Sequence, residues 1–156
     1  MTTADLPHDA YITAVTDTLA EVGLDPADTW ADDCDTRGTY RYLRAGLHFT
    51  PEDTYGVDPG RWPDGLQLLW EWHPGVEEGE AEKGPVWLWA KRLPDGSNTD
   101  PVPLLVPGFA NPVQVAWSLA ELINTGATPR QRIGEWVCAT STAAACEAWA
   151  ADETSE

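Results

Sequence analysis

The residue types that most often do chemistry are few in this sequence and stand apart from one another. The histidines, His8, His48 and His73, form no H-x-x-x-H or H-E-x-x-H pair, and the three cysteines form no C-x-x-C pair. The spacing typical of a zinc site is therefore missing. No serine lies in a G-x-S-x-G motif, and there is no glycine-rich phosphate loop. We predict no catalytic residue, no cofactor and no metal.

One acidic stretch, DDCDTRG, resembles a metal loop. Asp33, Asp35 and Gly38 fit the first, third and sixth positions of a calcium loop. Arg37 takes the fifth position, however, and Arg44 falls where the bidentate glutamate is needed. Two cations replace two oxygen ligands, so a calcium site is not predicted.

Tryptophans occur in two closely spaced pairs. Trp70 and Trp72 lie in LQLLWEWH, and Trp87 and Trp89 lie in GPVWLWAK; both segments alternate as strands do. If the aliphatic side of the GPVWLWAK strand meets the helices, Trp87 and Trp89 point to the other side of the sheet. There they are either covered by the C-terminal segment or left as an exposed aromatic platform. Because a tryptophan can bury about 150–250 Å², a bare pair would be a conspicuous binding surface.

The formal charge of −17 is the strongest signal in the composition. Such a surface repels phosphate backbones and anionic lipids, so we expect neither direct nucleic-acid binding nor membrane binding. It attracts basic partners instead. The N-terminus lacks the basic and apolar regions of a signal peptide, and no 18-residue apolar run occurs, which predicts a cytoplasmic protein. The predicted partner-binding residues are Asp32, Asp33, Asp35, Glu77, Glu78, Glu80, Trp87 and Trp89.

The apolar pattern predicts one α+β domain over residues 1–150 and a polar tail over 151–156. LPHDAYITAVTDTLAEVG predicts a first helix that ends at Gly23, and NPVQVAWSLAELINTG predicts a second helix with Asn111 as its N-cap and Gly126 as its stop. Between them, three strands and a short proline-rich edge piece are predicted; LDPADTWADDCDTRG is a connection. One or two helices follow Thr128. The fold is an antiparallel sheet of three or four strands flanked by N-terminal and C-terminal helices.

Three segments, HDAYITAVTDTLAEVGL, LQLLWEWHPG and NPVQVAWSLAELI, resemble an uncharacterised family of small acidic actinobacterial proteins, classed as a domain of unknown function. The resemblance extends over residues 8–124. It implies a fold and no chemistry, so no functional residue is carried over.

Together these patterns favour a non-enzymatic protein-binding module of the inhibitor, immunity or anti-defence type. Its acidic surface would steer a basic partner, and exposed aromatic side chains would hold the complex. Two alternatives stay open. One is a DNA mimic with carboxylates at phosphate-like spacing; the other is a small-molecule binder or enzyme with the tryptophan strands as pocket walls. The oligomeric state is not predicted.

Overall fold

In the part of the chain that the structure describes, five consecutive strands form one antiparallel sheet, and each strand pairs with the next. The computed structural model describes residues 6–35, 41–54, 56–73 and 84–155. The predicted α+β class is confirmed. The elements, in chain order, are α1 (Asp9–Glu21), β1 (Asp28–Asp35), β2 (Arg41–Phe49), β3 (Leu66–His73), β4 (Gly84–Lys91), β5 (Val102–Pro103), α2 (Pro112–Thr125) and α3 (Ala139–Ser155).

The core lies between one face of the sheet and the helices. Alternate residues of β2 and β3 point into it, as their period-2 pattern predicts. Helices α1 and α2 contact each other and complete the same apolar cluster. The buried members from these four elements are Leu43, Ala45, Leu47, Phe49, Leu66, Leu68, Trp70, Trp72, Tyr11, Ile12, Val15, Leu19, Val115, Ala116, Leu119, Leu122 and Ile123.

Helix α2 begins and ends where its sequence signals predict. The Asn111 side chain accepts a hydrogen bond of 3.0 Å from the backbone N–H of Val113, and Pro112 occupies the first helical position. At the other end Gly126 has a φ of 76°, and its N–H donates to the carbonyl of Leu122. Glycine adopts this left-handed conformation with little strain, so the helix stops there.

Strand β1 is a correction to the sequence analysis, which assigned this segment to an acidic connection. It pairs with β2 along its whole length, from Asp28 opposite His48 to Asp35 opposite Arg41. β1 is an edge strand, where charged side chains keep their contact with water and are well tolerated. Within the described residues the sheet therefore has five strands instead of three or four, with β1 and the two-residue β5 at its edges.

The segment between α2 and α3 is a second correction. A helix starting at Pro129 was predicted, but residues 129–138 are not helical and α3 begins only at Ala139. Gly134 has a φ of 119°, and the N–H groups of Arg132 and Trp136 donate to the carbonyls of Leu105 and Phe109. Backbone groups bonded in this way are not available for helical hydrogen bonds. α3 is one helix and includes residues 151–155 of the predicted tail.

Candidate functional site

Trp87, predicted as an exposed partner-binding residue, is a core residue. It lies directly opposite Trp70, and opposite residues of antiparallel strands point to the same face. Trp87 is 1% exposed, and its indole N–H donates to the Tyr11 hydroxyl at 3.1 Å. The prediction of an exposed Trp87 was wrong because alternation separates the two faces of a strand without showing which one meets the helices.

Trp89 lies on the same face of β4, near the rim of the core. It is half-buried, and its indole N–H donates to the Thr128 hydroxyl at 3.0 Å. Its ring meets the buried Trp62 edge-on, with 6.2 Å between ring centroids. The loop after α2 thus covers part of Trp89, and a role for it in partner binding stays a prediction.

The predicted acidic residues fall into two groups. Asp32, Asp33 and Asp35 all lie on edge strand β1. Asp32 accepts a hydrogen bond of 2.9 Å from the Nε of Arg44 on β2. The second group, Glu77, Glu78 and Glu80, lies outside the described residues.

Several large apolar side chains of α2 and of the segments that pack beside it are exposed, and no site was predicted there. We call this group the α2 patch. Trp117 is 54% exposed, Ile133 is 77% exposed and Val137 is 90% exposed. Val113, in the first turn of α2, is 42% exposed. The members of the patch are Leu105, Val113, Trp117, Ile133 and Val137.

Backbone and ring contacts bring the segments of the patch together. Val113 and Trp117 are neighbours on α2 because they are four residues apart. The guanidinium carbon of Arg132 lies 5.4 Å from the centroid of the Trp117 ring. The N–H of Arg132 donates to the carbonyl of Leu105 at 3.1 Å, and the N–H of Asn111 donates to the carbonyl of Gly134 at 2.9 Å. Three segments distant in sequence therefore lie side by side, and each of them has exposed apolar side chains.

Glu121 pairs with two arginines, Arg130 and Arg132, beside the patch. Its Oε1 lies 3.4 Å from Nε of Arg130 and 3.4 Å from Nη2 of Arg132. The backbone N–H of Arg130 also donates to this carboxylate, and these interactions lower the pKa of Glu121. Arg132 is thereby fixed over the Trp117 ring, in the geometry of a cation–π contact.

Leu105 adds a strained backbone to the patch. Its φ is 70°, a left-handed value that no other non-glycine residue adopts in the described part of the chain. This conformation costs a residue with a Cβ about 1–2 kcal/mol, and it persists where the surrounding structure fixes it. The hydrogen bond from Arg132 to the Leu105 carbonyl is one such constraint.

The described residues offer neither a metal site nor a membrane-spanning helix. No group of three or more His, Cys, Asp or Glu side chains in these ranges is arranged to hold a metal ion. None of the described helices combines the length and the apolar character needed to cross a membrane.

Comparisons with known proteins give no match: no family model, no curated protein and no solved structure matches this chain. The resemblance to the actinobacterial family stays a prediction, and the proposals below depend on the geometry of the chain itself.

Proposed function

We propose that this protein is a non-enzymatic binding module that holds a basic protein partner through the α2 patch. The observation that carries the proposal is the exposure of Trp117, at 54%, together with that of four other apolar side chains on α2 and on the segments that pack beside it. Single exposed apolar residues are common, but a group of them marks interaction surfaces. Tryptophan is the side chain most enriched among the residues that dominate binding energy.

The net charge supports a basic partner. At −17 the chain attracts cationic surfaces from a distance and raises the rate of encounter with them. Fully burying a side chain such as Ile133 contributes about 1.5–3 kcal/mol, whereas association costs about 4–15 kcal/mol. Burial of the patch therefore offsets part of the cost of association. Complementary charge around the patch raises the association rate and the specificity. Inhibitor, immunity and anti-defence proteins are the functional classes that suit such a module.

The test is affinity capture from lysate of the source cell with matched variants. Trp117→Ala and Ile133→Ser alter the patch. Val22→Ser is the control, because Val22 is 54% exposed like Trp117 and lies at the end of α1. We expect a protein of high pI that is retained by the wild type and the control and lost, by about tenfold or more, by Trp117→Ala.

Two results contradict the proposal. One is capture that is equal for the wild type and the patch variants; if that capture also disappears with added salt, it indicates charge mimicry instead. The other is the absence of any stoichiometric partner at both low and high salt. Circular dichroism of each variant establishes that a loss of capture is not a loss of fold.

A further inference from the structure

The face of the sheet opposite the core carries a groove of about 300 Å³. Its floor is Leu69 with the backbone of the neighbouring strands, and its sides come from β1, β2, β3 and the turn that follows β4. We call it the sheet groove. The side chains that line it belong to Trp30, Arg44, Gln67, Leu69, Glu71 and Asn98.

Gly46 makes room for the Trp30 ring, which forms the aromatic side of the groove. Trp30, Gly46 and Leu69 lie directly opposite one another on β1, β2 and β3. The Trp30 indole lies across Gly46: a Cβ on this glycine would be 2.5 Å from ring carbon Cε2. Arg44, bonded to Asp32, lies with its guanidinium carbon 5.2 Å from the centroid of the same ring. The indole is thus held over the sheet, toward the groove.

Two carboxamides in the groove have unused hydrogen-bonding capacity. Gln67 is 9% exposed, and its side chain lines the groove. Neither its carboxamide nor that of Asn98 bonds to any residue in the described ranges. The Gln67 side chain is mostly buried but lines the groove, so its carboxamide is able to bond to a ligand that enters with a polar edge.

The charges of the lining favour a neutral ligand. Arg44 and Glu71, opposite each other on β2 and β3, contribute one positive and one negative charge. The excess negative charge of the whole molecule disfavours phosphates and other anions. A carboxamide offers a donor and an acceptor side by side, which matches the N–H and C=O of a cyclic amide. An indole supplies a stacking surface for a planar ring.

We propose that the sheet groove binds a neutral planar heterocycle with a cyclic-amide edge, of the size of a nucleobase or nucleoside. Gln67 and Asn98 bond to the amide edge, and the ring stacks on Trp30. This site shares no residue with the α2 patch and does not depend on the proposed partner.

The test uses inosine, whose base has an adjacent N–H and C=O, and 1-methylinosine, which lacks that N–H. Binding is followed by two-dimensional ¹H–¹⁵N NMR and by calorimetry on the full chain. We expect inosine to shift the indole N–H signal of Trp30 and the amide signal of Leu69 with sub-millimolar affinity. 1-Methylinosine should bind about tenfold more weakly or not at all, and the 5′-monophosphate more weakly than inosine.

Variants locate the contact. Asn98→Ala should weaken inosine binding about fivefold. Asn124→Ala, which removes an exposed carboxamide at the end of α2, should leave the affinity unchanged. The proposal is overturned if inosine causes no shift at millimolar concentration, if 1-methylinosine binds equally well, or if Asn98→Ala binds like the wild type.

Discussion

The Tyr11 hydroxyl joins α1 to β4 and to the segment before α2, and its removal tests how the core is held together. Tyr11 on α1 is fully buried. Its hydroxyl donates to the carbonyl of Ala110 at 2.7 Å and accepts from the indole N–H of Trp87 on β4 at 3.1 Å. Burial raises the pKa of Tyr11 well above its ordinary value, so the hydroxyl keeps its proton. Tyr11→Phe removes one oxygen and leaves both of these partners without it.

The expected loss of stability follows from the two polar groups, the Ala110 carbonyl and the Trp87 indole N–H, that Tyr11→Phe leaves without this partner. A buried polar group that loses its partner costs about 1–3 kcal/mol, so two such groups predict a loss of about 2–6 kcal/mol in the free energy of unfolding. For a chain of this length, 1 kcal/mol corresponds to about 2–4 °C in Tm. Tyr11→Phe should therefore lower Tm by at least about 4 °C.

Urea unfolding followed by tryptophan fluorescence and circular dichroism measures this loss. The control is Thr16→Val, which removes an exposed hydroxyl that donates to the carbonyl of Thr13 on the same helix. We expect the control to change stability by less than about 0.5 kcal/mol. A loss for Tyr11→Phe below about 1 kcal/mol, or equal to that of Thr16→Val, would refute the argument that this hydroxyl holds the core together.

Three further predictions follow from single contacts. Gly46→Ala should displace the Trp30 ring and cost about 1–3 kcal/mol in urea unfolding; an unshifted Trp30 indole signal would contradict this. Burial lowers the pKa of His8, so the unfolded chain binds a proton at this residue more readily than the folded protein does. The contribution of His8 to stability is therefore lost as pH falls below 6.5. A His8 pKa at or above 6.5, measured by NMR in the folded protein, would contradict this. Burial raises the pKa of Cys146 to about 12, so mass spectrometry should find iodoacetamide on exposed Cys138 but not on Cys146 before unfolding.

The elements with a strong apolar period were predictable from the sequence. In β2 the alternation over Leu43–Phe49 gives the buried face directly, because every second residue is apolar. In α2 the capping residues Asn111 and Gly126 fix both ends, since each has a local physical reason to be there. Local chemistry and periodicity are enough where one face is clearly more apolar than the other.

The sequence does not show which strands pair or which segments pack against each other. β4 has apolar residues on both faces, so only its pairing with β3 places Trp87 in the core. β1 has carboxylates where a typical strand has apolar residues, and its position at the edge makes that composition acceptable. The α2 patch depends on Arg132 and Gly134 packing beside α2, contacts between segments that no local pattern indicates.

Both edges of the sheet discourage the addition of a strand from another molecule. At one edge, β1 has Asp28, Asp32 and Asp33, so two copies meeting there would bring like charges together. At the other edge, β5 is only two residues long, and Pro103 has no N–H to donate to a neighbouring strand. The protein should therefore stay free of edge-to-edge aggregation at high concentration, which leaves the α2 patch as an apolar surface available for a specific contact.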